Sequence, residues 1–351
     1  MNSRERMLAV VNHEKPDRLP TDIWATAETW ENLRGHFGAD ADLGAVLHVD
    51  GIAGAGAKYV GPPLPEAGEG ESVDYWQNRY RRVAYADGVY SERIHDPLAE
   101  AQSLDDLEAY QWPSPDWFDY SQMRPAAQAA RERQALMVGY MAPFYQHNKL
   151  RGLEQSLIDP LLEPELTHHL LGRMCEFIHE HHRRMFEACE GLIDLTQVTD
   201  DYGTQHGPMI SLEVFREFYR PHLKRFIDLA KSFGIKVFHH DDGAVREFLP
   251  DLVEMGIDVL NPIQWRCPGM EIDGLKRDFG DAVCFHGGID NQQTLPFGSE
   301  EDVRAEVRRC IDVLAADHTG YVVSPCHNIQ ANTPVENIIA MYDEAHQYGK
   351  L

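Results

Sequence analysis

Lys236-Val237-Phe238-His239-His240-Asp241-Asp242-Gly243 is the stretch on which the reading of the fold turns. An apolar entry (Ile235, Val237, Phe238) runs straight into two imidazoles, two carboxylates and a glycine, and a helical pattern follows from Ala244 to Met255. A buried strand that ends in titratable groups and hands over to a helix has the form of a βα unit with a site at its carboxyl end. Residues two apart on a strand share a face, so His240 and Asp242 are expected to point one way and His239 and Asp241 the other. That spacing suits a metal ligand pair or a proton relay.

Working outward, short apolar runs alternate with longer helical patterns from Ala135 onward, the signature of a parallel sheet. The expected strands are Ala135 to Tyr140, Leu192 to Val198, Ile235 to His240, Val259 to Asn261, Val283 to His286 and Tyr321 to Ser324. Leu19 to Trp24 and a weaker run near Asp50 to Ala53 bring the count to eight. With no Gly-rich phosphate fingerprint, this predicts an α/β chain folded as a closed (β/α)8 TIM barrel, residues 1–351 forming one domain. An open doubly wound sheet is the second choice.

The barrel carries additions. Ser3 to Asn12 reads as a short lid or plug helix with a Ser cap, ended by Pro16, and Thr26 can cap a helix through Leu33 to Phe37. Asp22 and Trp24 then fall near a strand exit. Tyr75 to Ile94 alternates apolar and polar residues around Asp87-Gly88, a hairpin signal, and reads as an excursion inserted into the scaffold. His168, His169, His179, His181 and His182 lie on a long helical segment, Glu163 to Glu190, and read as a solvated or interface face, with Cys175 and Cys189 as core packing.

Composition narrows the class. Lys and Arg number 32 against 57 Asp and Glu, a formal charge of −25, which repels nucleic-acid phosphates and anionic membrane surfaces alike. A hydrophobic content of 43% is ordinary for a globular chain, and no stretch approaches the roughly 18 apolar residues of a membrane span. The N-terminus has no apolar run of signal-peptide length, and the six cysteines show no framework spacing. The expectation is a cytoplasmic protein with reduced thiols.

The late strands end in groups that a core would not choose: Thr199-Asp200-Asp201, His240-Asp241-Asp242, Asn261 with Gln264, His286-Gly287-Gly288-Ile289-Asp290-Asn291, and Cys326-His327-Asn328. Barrel enzymes place their chemistry there. Each group also has a plainer reading. His240 and Asp242 can be a hydrogen-bonded strand-end pair, Cys326 a small buried hydrophobe, and His286 a satisfied core imidazole. Of Asp200 and Asp201, one is expected to cap the next turn and the other to face the cavity.

These same residues carry a likeness. DDYGTQHGPMIS, VFHHDDG, NPIQ, FGDAVCFHGGID, TLPFGS and SPCHNIQ, followed by TP and EN, span Asp200 to Ile338, and RERMLAVVNHEKPDRLP opens the chain. In that ordered set the chain resembles the uroporphyrinogen decarboxylase superfamily, with the closer likeness to its cobalamin-dependent and coenzyme M methyltransferase branch. The resemblance implies a (β/α)8 barrel with its site at the carboxyl face. It also implies a zinc held by a His-x-Cys pair and a distant Cys. Carried over, His240 matches the histidine, Asp242 stands where the pair has its cysteine, and Cys326 matches the distant cysteine. The implied metal ligands are therefore His240, Asp242 and Cys326, a set that takes Zn2+ and admits Fe, Co or Mn.

Around the same mouth, Asp200, Asp201 and His286 are the expected catalytic acid, base or orienting groups. Gln205, Asn261 and Gln264 are neutral hydrogen-bonding candidates for a cofactor. No corrinoid-binding Asp-x-His-x-x-Gly motif occurs, so a corrinoid would come on a partner protein; the resemblance and the aromatic excursion hint at a homodimer. True uroporphyrinogen decarboxylases grip their polycarboxylate with N-terminal arginines, whereas the equivalent Thr21 to Leu33 has none. Three readings follow: a zinc-dependent methyltransferase acting on a small methyl donor or acceptor, a decarboxylase or other carbon-carbon lyase on the same barrel, and a non-catalytic tetrapyrrole or corrinoid binder.

Overall fold

A computed structural model describes residues 1–85 and 88–350. Its centre is a curled parallel sheet of seven strands: β1 (Ile52–Gly54), β2 (Ala135–Met141), β3 (Leu195–Val198), β4 (Lys236–His240), β5 (Val259–Asn261), β6 (Cys284–His286) and β7 (Tyr321–Val322), hydrogen-bonded in chain order. From β2 onward helices separate consecutive strands. Strands β5, β6 and β7 are buried throughout, as expected of a parallel sheet covered on both faces, which is why they read as short apolar runs rather than alternating ones.

The sheet is of the TIM-barrel type, but its ladder has seven strands where the sequence suggests eight, and it does not close as a continuous ladder. The first expected strand, Leu19 to Trp24, is reduced to a seam. The Thr21 carbonyl accepts from the amides of Asp50 (3.0 Å) and Gly51 (3.1 Å), Asp22 N–H donates to the Val323 carbonyl (3.0 Å), and Val323 N–H donates to that of Pro20 (3.0 Å). Pro20 has no N–H to give, so pairing stops on its amino side, and it resumes only where Ala25 bridges Ile329. Similarly, β3 starts at Leu195 rather than Leu192, because Leu192 N–H turns back to the Cys189 carbonyl (2.9 Å) and closes the preceding helix.

The helix Ser3–Val11 is capped by Asn2 rather than Ser3. Asn2 Oδ1 accepts from Glu5 N–H (2.8 Å) while Glu5 Oε2 accepts from Asn2 N–H (2.9 Å). It is a plug at the amino ends of the strands. Arg4 forks onto Asp194, just before β3, and Arg6 reaches Asp50, just before β1. Asp50 is a buried hub that accepts from Arg6 (2.6 Å), Arg18 (2.7 Å) and the Thr21 amide (3.0 Å), tying plug, seam and first strand together.

The excursion contains a three-stranded antiparallel sheet, Glu71–Val73, Arg79–Tyr85 and Gly88–His95. The hairpin is present, with Tyr85 paired to Gly88; Asp87 of the expected Asp-Gly turn lies outside the described residues. Among the described residues no helix is long and apolar enough to cross a membrane. All six cysteines are free and buried.

The long helix Pro164–Ala188 departs from expectation at His181 and His182, which are buried rather than solvated. His182 Nδ1–H donates to the Ile178 carbonyl (2.6 Å), and its Nε2 accepts the Tyr140 N–H (3.0 Å). Only a neutral ring satisfies both. Burial, reinforced by His181, pushes its pKa down from 6.5 to about 3.

Two outcomes follow for stability. Asp50→Ala leaves two guanidinium groups without their buried partner and lowers unfolding free energy by about 3–5 kcal/mol in urea titration; a loss below about 1 kcal/mol would show the hub to be incidental. For His182, the unfolded chain binds a proton below about 6.5 that the native ring refuses, so its contribution is complete above that pH and is lost as pH falls toward about 3. The urea midpoint of the wild type should therefore drop more steeply on acidification from about 6.5 to 4.5 than that of His182→Gln.

Candidate metal centre

Three neighbouring strands end on polar residues: β4 on His240, β5 on Asn261 and β6 on His286. The register pairs Asn261 with His240 and Leu260 with Phe285, which sets the three side chains in a row across the carboxyl end of the sheet. His286 Nε2 lies 3.0 Å from Asp22 Oδ2, its Nδ1 lies 2.8 Å from Asn261 Nδ2, and Asn261 Oδ1 lies 2.5 Å from His240 Nδ1. Trp24 Nε1–H also donates to Asp22 (3.0 Å).

The polarity of this row follows from its first member. A carboxylate only accepts, so His286 carries its proton on Nε2 and offers Nδ1 as a lone pair. Asn261 must then present its NH2 to His286 and its oxygen to His240, which places the His240 proton on Nδ1. The lone pair of His240 Nε2 is left facing the mouth, the arrangement by which outer partners orient a metal-binding histidine.

At the mouth, His240, Asp242 and His327 bring one ligand atom each to within 4.8 Å of one another. His240 Nε2 is 3.8 Å from Asp242 Oδ1, and His327 Nε2 is 3.6 Å from Asp242 Oδ2. Gln264 orients the carboxylate: its oxygen accepts from Gly243 N–H (2.8 Å) and its NH2 reaches Asp242 Oδ1 at 3.3 Å. Gly243 adopts φ +87°, and a Cβ there would meet the Thr204 carbonyl at 2.5 Å, so the loop after β3 packs directly on the loop after β4. Asp201 Oδ1 lies 3.6 Å from His240 Nε2; burial raises its pKa while His240 pulls it back. The Trp24 ring walls the site, 5.4 Å from His240 and 6.3 Å from His327.

The expected alternation holds. His239 and Asp241 turn away, His239 Nδ1–H donating to the Val198 carbonyl (2.7 Å) and Asp241 Oδ1 accepting from Tyr202 N–H (2.7 Å). Other expectations are corrected. Cys326 does not join the converging atoms; its thiol donates to the Ile263 carbonyl (3.1 Å) and lines a small neighbouring cavity with Cys267 and Gln205. Burial pushes that thiol well above its usual pKa. The next residue, His327, takes the place instead.

Asp200 is also not at the mouth. Buried, it accepts from Phe144 N–H (3.1 Å), Tyr145 N–H (2.8 Å) and Tyr202 O–H (2.6 Å), so it caps the distant helix Pro143–Arg151 rather than the next turn. Asp201 is the one of the pair that faces the cavity. His286 is buried with both nitrogens engaged, and Asn261 is buried between the two imidazoles, so both serve the row behind the site. Gln205 and Gln264 line a groove of about 320 Å³ with Asp242, His327, Asn291 and Gln330.

Residues 82–348 match the family model for uroporphyrinogen decarboxylase (URO-D). The chain belongs to this family. Among members of the uroporphyrinogen decarboxylase family, it is 26% identical over 193 residues to the enzyme of Azoarcus sp. (strain BH72), covering 53% of this chain and 49% of that one. The Bordetella petrii enzyme is 31% identical over 105 residues, or 30% of this chain and 28% of the relative. The chain spans about half the length, or less, of the curated relatives it matches. In structure it is similar to a methyltransferase from Methanosarcina mazei, with a TM-score of 0.63 and 17% identity over 99% of both chains, which establishes a shared fold.

Asn261→Leu removes the partner that fixes the His240 tautomer. Metal affinity measured by competition with a chromophoric chelator should fall about 10–100-fold, with the far-UV spectrum unchanged. Unaltered affinity would mean that His240 needs no orientation.

Proposed function

We propose that the protein is a metal-dependent methyltransferase that moves a methyl group between a small substrate or thiol and a corrinoid carried by a partner protein. The reading is carried by the convergence of His240, Asp242 and His327 at the mouth, with the His240 lone pair aimed outward by Asn261. Two imidazoles and one carboxylate form a three-ligand set that suits zinc and leaves a coordination position for a substrate atom. Iron(II) is the next best match for the same donors. When bound, such an ion supplies Lewis acidity that favours a thiolate over a thiol or polarises a methylated heteroatom.

The remaining tasks fall to the chain. Asp201 is the carboxylate placed to receive a proton from a substrate at the mouth. Trp24 forms one wall of the site beside His240 and His327. The groove beside the ligands is lined by the carboxamides of Gln205, Gln264, Asn291, Gln292 and Gln330, and no Lys or Arg is among its lining residues. Carboxamides complement the amide-bearing rim of a corrin. The likeness in fold to the Methanosarcina mazei methyltransferase agrees with this reading.

Decarboxylation is the second reading, favoured by the names of the curated relatives. A polycarboxylate substrate would meet Asp201 and Asp242 at the mouth, and Thr21 to Leu33 contains no arginine to offset them.

Elemental analysis of the purified chain beside His240→Ala, His327→Ala and Cys326→Ala tests the proposal, together with methyl transfer from a methylcorrinoid to a thiol followed by corrinoid absorbance. Metal and transfer should be lost in both histidine variants, and metal should be retained in Cys326→Ala. A metal-free wild type, or metal lost with Cys326 but kept without His327, would overturn it.

A further inference from the structure

The groove of about 320 Å³ shares Asp242 and His327 with the metal centre, so a guest lying along it lies against the proposed ligands. Its size is at the small end of ordinary ligand pockets, about 300–1,000 Å³, and suits a small molecule. Four of its residues, Gln205, Gln264, Asn291 and Gln292, also line the small cavity beside it, to which Arg266 and Asp290 are added. Groove and cavity thus form one continuous lining.

The charges along this lining are unequal. At the mouth, the carboxylates of Asp201 and Asp242 stand 3.6 Å and 3.8 Å from His240 Nε2. Among the described residues no Lys or Arg lines the groove, and Arg266 is the single cation lining the cavity. That guanidinium is already answered: its Nε sits 2.6 Å from Asp290 Oδ2, its Nη2 donates to Thr294 Oγ1 (3.2 Å), and it lies over the Trp265 ring at 4.4 Å. Glu306 stands beside the pair, accepting from Asp290 N–H (2.6 Å) and the Thr294 hydroxyl (2.5 Å). Asp201, Asp242, Asp290 and Glu306 are therefore set against one guanidinium. A dication held by His240, Asp242 and His327 would balance Asp201 and Asp242 and leave nothing over for a second anion.

Hydrogen bonding points the same way. Asn291 and Gln330 each give an N–H to the Asn328 carbonyl (3.2 Å and 3.0 Å), and the side-chain oxygen of each has no donor among the described residues. A carboxylate or sulfonate only accepts, so it meets these oxygens acceptor to acceptor, whereas a carboxamide or hydroxyl brings a donor as well.

We infer that the small substrate of this site is an uncharged polar molecule, recognised along the carboxamide groove, and that the site rejects its anionic counterpart. The inference rests on the methyltransferase reading, in which that substrate meets the metal ligands. It narrows the thiol or methyl donor to one that carries an amide or hydroxyl and no carboxylate, sulfonate or phosphate.

The thiols 3-mercaptopropionamide and 3-mercaptopropionate have nearly the same shape and differ by one charge. In calorimetric titration of the full chain, incubated with zinc and desalted, the amide should bind at least about tenfold tighter at low salt, and the gap should narrow as sodium chloride is raised. Asn291→Lys, which sets a cation in the lining, should close or reverse the gap; if that variant fails to fold, Gln330→Lys at the exposed edge carries the same test. Equal affinities in the wild type, tighter binding of the carboxylate, no saturable heat with either thiol, or a gap that the introduced lysine leaves untouched would each overturn the inference. Metal content and methyl transfer from methylcobalamin separate it from the reading beneath it. A chain that discriminates between the two thiols but holds no zinc or transfers no methyl loses the reaction and keeps the selectivity, and one that methylates both thiols equally well does the reverse.

Discussion

An acceptor-only carboxylate buried beside an imidazole governs the carboxyl end of this sheet. Asp22 admits one orientation of His286, His286 admits one orientation of Asn261, and Asn261 admits one tautomer of His240. The site is thereby ordered from behind, by groups that never reach the mouth. Each link sits in a low-dielectric interior where a misplaced proton would leave an unanswered donor or acceptor, so the row behaves as a unit rather than as three separate contacts.

Much of this architecture is legible in the sequence because fully buried parallel strands leave a strong mark. The runs ending at Asn261 and His286 are apolar up to the last residue and polar at it, the run ending at His240 turns polar one residue earlier, and the structure ends all three strands at those residues. The face alternation of His239, His240, Asp241 and Asp242 is equally direct, being a property of extended backbone alone. The seam is less legible because Leu19 to Trp24 has the composition of a strand, while its pairing is cut short by prolines on both sides, Pro20 within it and Pro325 on the facing segment.

The misreadings at the site have a shared origin. Cys326 and His327 are adjacent, and on an irregular strand exit a shift of one residue exchanges the side chain that faces the mouth for the one that faces the interior. Asp200 and Asp201 present the same ambiguity, settled by contacts from the helix Pro143–Arg151, which is remote in sequence from both. Asp22 is visible as a carboxylate near a strand exit, but its partner His286 lies 264 residues away, and no local pattern announces it.

The seam has a consequence for how the histidine row is held. Pro20 to Asp22 joins the first and last strands by a handful of backbone contacts, and the same few residues deliver the anion that orients the histidines. The join in the wall and the anchor of the site are therefore one element. Whatever displaces this segment therefore also frees His286 from the carboxylate that fixes its orientation, so the wall and the histidine row share one support.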